Sequence, residues 1–202
     1  MKLYHVSKSR STRVLWLLEE LGLDYELETL PFDPGALKSP DYLAINPFGK
    51  VPVLVDGPVT MSESVAIIQY LLDRYGGDRL QPDRESPEYA RFLQWLHFGE
   101  STLMGPIAAV LANAHFLPQE ERDPRAAERN RRTLKGYLEI LDEELGRHAY
   151  LVGDEFTAAD IVVGYAVLLL KLFRELPDGL PNLRAWFERL AERPAFKKAT
   201  AA

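Results

Sequence analysis

The chain has 202 residues, 47% of them hydrophobic and 27% charged, so it can bury one large core or two smaller ones. Its 24 lysines and arginines against 30 aspartates and glutamates give a formal net charge of −6, which argues against a general nucleic-acid-binding protein. Because it has no cysteine, disulfides, thiolate zinc sites and a protein thiol nucleophile are excluded.

The hydropathy of the chain indicates neither a signal peptide nor a membrane span. The N-terminal "MKLYHVSKSR" is not followed by the apolar stretch of a signal peptide. The longest apolar run, "IVVGYAVLLL", is about half the ~20 residues that a membrane span needs. We therefore expect a cytoplasmic protein that binds no membrane.

The first part of the chain alternates strand and helix patterns. In chain order these are "KLYHV" (strand), "RVLWLLEELG" (helix ending at Gly22, with Ser11 or Thr12 as its cap), "YELETL" (strand), "SPDYLAI" (short helix), "VPVLV" and "PVT" (strands around the Asp56-Gly57 turn) and "SVAIIQYLLDRYGG" (helix). The order is therefore β-α-β-α-β-β-α. It predicts that the first two strands are parallel and that the last two form an antiparallel hairpin.

Every pattern beyond a polar, proline-containing linker at residues 78–87 is helical. The predicted helices are a long one over "EYARFLQWLHFGESTLMGPIAAVLANAHF" that Gly105-Pro106 bends, "PRAAERNRRTLKGYLEILDEELGRH", the apolar "TAADIVVGYAVLLLKLFREL", and "PNLRAWFERLAERPAF", which ends near Pro194. We expect an α/β domain at 1–77 and an all-helical domain at 88–202.

Four stretches carry a resemblance that covers the whole chain: "NPFGKVPVL", "ESVAIIQYL", "FTAADI" and "PNLRAWFERLAERPAF". Together with the order of elements they resemble the cytosolic glutathione transferases. The opening "RSTRVLWLLEELGLDYEL" is most similar to the bacterial and fungal branch that uses a serine. The resemblance implies a thioredoxin-like first domain, an all-α second domain, and a homodimer.

The resemblance also implies a glutathione site around the hairpin. A cis Val51-Pro52 bond would turn the Val51 backbone toward the cysteinyl part of glutathione, which could pair with it as an added strand. Glu63 would take the γ-glutamyl ammonium, while Ser64 and the N–H groups of the helix start would take its carboxylate. Lys50 reaches the glycyl carboxylate or is a solvated turn lysine.

A hydroxyl near the first helix would stabilise the glutathione thiolate. In serine-type members the catalytic serine precedes a helical arginine by four positions, so Arg13 selects Ser9. Ser11 is the second candidate, with helix capping as its stronger alternative role. Arg10 adds positive charge or lies at the surface, and Tyr4 would fit the tyrosine-type classes only with a shorter turn.

Other residues are assigned mainly to structure. Thr157 and Asp160 in "FTAADI" form a capping-box pattern, and the four histidines show no spacing typical of a metal site. Met104, Phe116 and Tyr165 are candidates for the electrophile pocket, although such residues more often form the core of the helical domain.

The sequence thus predicts a glutathione transferase that conjugates the thiolate of glutathione to a small hydrophobic electrophile, with no further cofactor. Two alternatives remain open. One is a glutathione-dependent disulfide reductase or peroxidase, which without a cysteine would need a second glutathione. The other is a non-catalytic, transferase-like adaptor that binds proteins.

Overall fold

A computed structural model describes residues 1–33 and 35–202 in full and the backbone of residue 34. The chain divides into two compact units. The first comprises Met1–Arg79 together with Glu192–Ala202, and the second comprises Leu80–Ala191. The last residues therefore belong to the first unit, whereas the sequence assigned them to the helical domain.

The first unit contains a four-stranded mixed sheet and five helices. Its elements are β1 (Lys2–His5), α1 (Ser11–Leu21), β2 (Glu26–Thr29), α2 (Pro34–Leu37), α3 (Pro40–Ile45), β3 (Val53–Asp56), β4 (Val59–Ser62) and α4 (Ser64–Leu71), which continues into a π-helical turn (Leu72–Gly76). A last helix, Pro194–Ala201, also belongs to this unit and is called α10 below because it is the tenth in the chain.

The strand order is β2-β1-β3-β4. β1 runs parallel to β2 and antiparallel to β3, and β3 and β4 form an antiparallel hairpin. The predicted parallel pair and hairpin are therefore confirmed. Gly57 has φ +57° in the turn of the hairpin, a conformation that glycine adopts without steric cost.

Helix α1 lies at the centre of the first unit and packs against β1, α4 and α10. Its residues from Ser11 to Leu18 are all buried, and it ends at Gly22 in the left-handed conformation with φ 66°, as predicted.

The second unit is helical. It contains α5 (Pro87–His97), α6 (Met104–Leu111), α7 (Pro124–Leu145), α8 (Ala158–Leu172) and α9 (Pro181–Glu192), except that Glu192 at the end of α9 is assigned to the first unit. The long helix predicted from "EYARF" onward is interrupted by a π-helical turn at Phe98–Thr102, before the Gly105-Pro106 position at which we expected a bend. A second π-helical turn, Ala112–Phe116, ends α6.

Helix α8 forms the core of this unit, since every residue from Ala158 to Val167 is buried. Its capping box is confirmed: Asp160 accepts hydrogen bonds from the Thr157 backbone N–H at 2.9 Å and from the Trp186 indole at 2.9 Å. Burial raises the pKa of Asp160, whereas these donors lower it. "FTAADI" therefore has a structural role, as its sequence pattern indicated.

Candidate functional site

The turn before β3 carries a cis Val51-Pro52 peptide bond, as predicted. Two side chains at helix α3 donate hydrogen bonds to the carbonyl of Lys50, the residue before Val51. The Lys50 carbonyl accepts a 2.7 Å hydrogen bond from the Tyr42 hydroxyl and another of 2.7 Å from the Asn46 side-chain amide. The backbone leading into Val51 is therefore fixed by neighbouring side chains.

Gly49 makes this turn possible. Its φ is +60°, and a Cβ at this position would lie 2.6 Å from the Leu37 carbonyl oxygen, closer than side chains tolerate. The Lys38 ammonium donates to the Phe48 carbonyl at 3.0 Å and closes the turn from the same side. The "NPFGKVP" motif therefore encodes a turn that needs glycine at this position.

The sheet register brings the two ends of the hairpin together. Val53 pairs with Ser62 and also with Tyr4 of β1, so the residues just before β3 and just after β4 emerge at one edge. Val51 and Glu63 are those neighbouring residues. The carboxyl end of β1 and the start of α1 lie at the same edge of the sheet.

Glu63 immediately precedes α4 and is exposed. Its backbone has φ 72° and ψ 106°, which is rare for a residue with a side chain. Its carboxylate makes no capping hydrogen bond to the helix. An exposed carboxylate on a strained backbone, without a capping role, makes Glu63 a candidate for contact with a ligand.

Ser64 is buried, and its hydroxyl oxygen accepts a 3.1 Å hydrogen bond from Nη1 of Arg13. Arg13 is itself fully buried on α1. This bond ties the start of α1 to the start of α4, and it brings a guanidinium charge beneath the proposed carboxylate position. From the sequence, Arg13 served only to select Ser9 as the catalytic candidate, because no local sequence pattern indicates a partner 51 residues away.

The two candidate serines differ in accessibility. Ser9 is half-buried, whereas Ser11 is fully buried, and their hydroxyl oxygens are 2.7 Å apart. The expectation that Ser11 or Thr12 caps α1 was wrong: Arg10 is the N-cap residue and its side chain makes no capping hydrogen bond, whereas the Ser9 hydroxyl oxygen accepts from the Ser11 backbone N–H at 3.2 Å. The Ser11 hydroxyl instead accepts from the Val6 backbone N–H at 3.1 Å, which holds it inside the turn.

His5 lies behind Ser11 and escaped the sequence reasoning, which considered histidines only as metal ligands. The ring is fully buried, and its Nδ1 is 2.8 Å from the Ser11 hydroxyl. Burial lowers the pKa of His5. Its position at the end of β1, followed by a serine-rich turn, is the one signal by which it could have been found.

Comparison with known proteins identifies the family. The family model "Glutathione S-transferase, N-terminal domain" matches residues 1–73, and "Glutathione S-transferase, C-terminal domain" matches residues 104–194. Glutathione S-transferase 3 of Zea mays is 35% identical over 100% of this chain and 94% of its own length. Glutathione S-transferase GstB of Escherichia coli is 35% identical over 92% of this chain and 90% of its own.

The chain belongs to the glutathione S-transferase family. Among solved structures, glutathione transferase URE2P6 from Phanerochaete chrysosporium, in complex with oxidized glutathione, is similar with a TM-score of 0.87 and 34% identity over 98% of this chain and 93% of that one. Glutathione S-transferase-I bound with lactoylglutathione gives a TM-score of 0.84 and 31% identity, over 99% and 98% of the two chains. The thioredoxin-like domain followed by an all-α domain is therefore confirmed as the fold of this glutathione S-transferase.

The remaining glutathione candidates lie near the surface of the first unit. Lys50 is exposed in the turn before the cis bond, and Arg10 is half-buried at the start of α1. Their assignment to the glutathione S-transferase site stays a prediction.

The electrophile-pocket candidates lie in the second unit. Met104 on α6 and Tyr165 on α8 are buried in its core. Phe116 is 55% exposed, and its ring packs edge-on against Phe173 with centroids 5.1 Å apart. Phe116 is thus the member of this group with an aromatic surface open to a ligand.

Across residues 1–33 and 35–202, no three side chains of histidine, aspartate or glutamate lie close enough together to hold a metal ion. None of the helices described combines the length and apolar composition that crossing a bilayer requires.

Proposed function

We propose that this glutathione S-transferase conjugates the thiolate of glutathione to small hydrophobic electrophiles and belongs to the serine-type branch. The observation that supports the proposal is the sheet register: Val53 pairs with Tyr4 and with Ser62, from which we infer that Val51, Glu63 and the β1–α1 turn with Ser9 lie at one edge of the sheet. These three points match the cysteinyl backbone, the γ-glutamyl end and the thiol of one glutathione molecule.

Each end of glutathione has a partner of suitable chemistry. The exposed Glu63 carboxylate pairs with the γ-glutamyl ammonium in a charge-assisted hydrogen bond. The N–H groups at the start of α4, with Ser64 and Arg13 below them, favour the neighbouring carboxylate. Arg10 and Lys50 add positive charge toward the thiol and the glycyl carboxylate, respectively.

The reaction is a nucleophilic attack. The glutathione sulfur, ionised with the help of the Ser9 hydroxyl, attacks an electrophilic carbon, and the leaving group departs with the bonding electron pair. Catalysis comes from stabilising the thiolate and from holding it beside the electrophile. Met104, Phe116 and Tyr165 are the proposed contacts of the electrophile.

A second candidate activity is supported by the neighbouring structures. Two of them, URE2P6 and URE2P8 from Phanerochaete chrysosporium, contain oxidized glutathione. A glutathione-dependent disulfide reductase without cysteine would use the bound thiolate to attack a mixed disulfide, and a second glutathione would release the product. The non-catalytic adaptor is less well supported, because this chain carries each group that we propose for the glutathione site.

The test is a direct conjugation assay with glutathione and an activated aryl chloride, beside a reductase assay with a mixed disulfide of glutathione. We expect thioether formation well above the uncatalysed rate, and retention of the protein on immobilised glutathione. Retention without thioether formation would favour the reductase or the adaptor. Homodimerisation, typical of glutathione S-transferases, and the cytoplasmic location stay predictions.

A further inference from the structure

Helix α7 of the second unit carries a line of solvent-facing residues on the side opposite its buried face. Its buried residues are Ala127, Leu134, Leu138, Leu141 and Leu145. On the other side, six positions follow one another at alternating intervals of four and three residues: Arg125, Arg129, Arg132, Gly136, Glu139 and Glu143. The five charged residues are exposed and the glycine is half-buried. Because an α-helix has 3.6 residues per turn, the six positions form one line, called the α7 stripe below.

The charges of the α7 stripe are sorted by sign. Its N-terminal half carries three arginines and its C-terminal half two glutamates. The dipole of a helix favours the opposite order, with acids in the first turn and bases in the last, and α7 has neither. Like charges one turn apart, such as Arg125 and Arg129, also repel each other on a helix. The order of charges along the stripe therefore does not stabilise α7 itself.

The chain does little to neutralise these charges. Two ion pairs with flanking residues are exposed and long: Arg132 with Glu128 at 3.9 Å, and Glu139 with Lys135 at 3.8 Å. The other three charges of the stripe form no ion pair with any residue in the described part of the chain; they are Arg125, Arg129 and Glu143. The stripe is therefore free to pair with charges from another molecule.

The α7 stripe is complementary to a second copy of itself. If a second α7 runs antiparallel, with the two helices crossing at the level of Leu134, each position lies opposite another member of the stripe. The opposed pairs are Arg125 with Glu143, Arg129 with Glu139, and Arg132 with Gly136. A two-fold axis produces every pair twice, so four pairs of opposite charge form. The alternating spacing thus matches a symmetric, self-complementary interface.

Gly136 is explained by the same arrangement. Glycine is unfavourable in the middle of a helix, and a Cβ at Gly136 would have no neighbour within 4 Å among the described residues outside the backbone of its own helix. Packing within the chain therefore does not require glycine here. In the antiparallel pair, the missing side chain leaves room for the long stem of Arg132 from the second copy. Ile140, at the edge of the stripe and 60% exposed, would lose apolar surface to the same contact.

We propose that the α7 stripe is an interface at which two copies of this chain associate, with their α7 helices antiparallel about a two-fold axis. The stripe is about 27 Å long at a rise of 1.5 Å per residue. Because the contact is narrow and mostly ionic, association depends on protein concentration and weakens with salt. The inference goes beyond the proposed function and does not depend on the glutathione site, whose proposed residues lie in the first unit.

The test is sedimentation equilibrium at low and high salt, with folding checked by circular dichroism. Arg129→Glu places two glutamates opposite each other, and Glu139→Arg places two arginines opposite each other. The double variant Arg129→Glu/Glu139→Arg exchanges the charges and restores a pair of opposite sign. Glu188→Arg, at an exposed position of α9, is the matched control, because it changes the net charge as Glu139→Arg does.

We expect a wild-type dimer whose dissociation constant rises with salt. Each single reversal should raise the dissociation constant about 10-fold, because like charges then face each other twice. The double variant should recover most of the affinity, and Glu188→Arg should match the wild type.

Three results would overturn the proposal: a monomeric wild type, a dimer that neither single reversal weakens, or a double variant no tighter than the single ones. Thioether formation by the same samples separates this proposal from the proposed function. A wild type that dimerises with the expected charge dependence but forms no thioether would contradict the glutathione transferase activity and support the α7 interface. A wild type that forms thioether as a monomer would do the reverse.

Discussion

Glu63 combines an exposed carboxylate with a backbone conformation, φ 72°, that side chains rarely adopt. If the carboxylate holds the γ-glutamyl ammonium, Glu63→Gln should weaken glutathione binding by about 1.5–3 kcal/mol, the contribution of a charge-assisted hydrogen bond. Isothermal titration calorimetry measures the change. Asp24→Asn, which removes another exposed negative charge from the same unit, is the control and should bind normally. Equal affinity in Glu63→Gln and wild type would leave Glu63 as a helix-start residue only.

The same backbone conformation predicts that replacing Glu63 by glycine stabilises the fold even though it weakens binding. A strained backbone costs about 1–3 kcal/mol, and glycine adopts a positive φ without that cost. Glu63→Gly should therefore raise the free energy of unfolding by about 1 kcal/mol while it weakens glutathione binding. Urea unfolding of Glu63→Gly and of Glu63→Gln separates the effect of the backbone conformation on the free energy of unfolding from the effect of the lost charge. A less stable Glu63→Gly would show that the conformation carries no strain.

The residues of the site differ in how far the sequence could reveal them. Val51, Pro52, Glu63 and Ser64 stand in contiguous motifs, so their placement beside one hairpin could be predicted. Arg13 and His5 could not be found in the same way. The Arg13 contact spans 51 residues, and His5 contacts a buried hydroxyl, that of Ser11, for which the sequence favoured helix capping. Patterns along the chain give motifs, whereas hydrogen-bond partners follow from tertiary packing.

At the scale of elements, a partly exposed ion pair joins α7 to the segment that follows α8. Arg131 of α7 donates two hydrogen bonds, of 2.7 and 2.8 Å, to Glu175, which follows α8. His115 lies 2.9 Å from the same carboxylate. The Arg131 guanidinium holds the pKa of Glu175 below its usual value, against the effect of burial, and His115 lowers it further.

This pair makes stability depend on pH with a definite sign. Because the folded-state pKa of Glu175 is lowered, its contribution is present above the ordinary value of 4.5 and is lost as the pH falls through the folded value. Arg131→Met should therefore lower Tm at pH 7, and the difference from wild type should shrink in acid. Lys135→Met, which removes an exposed cation from the same helix, should change Tm little at either pH. A difference that persists unchanged in acid would contradict this assignment.

At the scale of the whole molecule, the order β-α-β-α-β-β-α could be predicted, because hydrophobic periodicity and turn residues mark each element. Helix α10 was missed. The sequence reasoning took Pro194 as the end of the preceding helix, whereas it stands in the first turn of a new one, where its missing N–H costs nothing. That α10 packs on α1 depends on contacts between residues more than 170 positions apart, such as Glu20 and Arg193.

Contacts with α10 should stabilise the first unit. Phe196 is buried against Trp16 of α1, with ring centroids 4.9 Å apart, and Arg193 pairs with Glu20 at 2.6 Å. Phe196→Ala should lower the free energy of unfolding by about 3 kcal/mol through lost burial and a cavity. Urea unfolding followed by tryptophan fluorescence measures it, with the exposed Lys197→Ala as control. Equal stability of the two variants would show that α10 adds nothing to this unit.

The central claim is that Ser9 stabilises the thiolate of bound glutathione, and ultraviolet thiolate absorbance of the complex across pH tests it most directly. The account predicts a thiol pKa below the free value of ~8.5 for the wild type, and a return toward that value in Ser9→Ala with glutathione affinity retained. A wild-type titration equal to that of free glutathione would contradict the claim. A lowered pKa that survives in Ser9→Ala would equally remove Ser9 from the catalytic role.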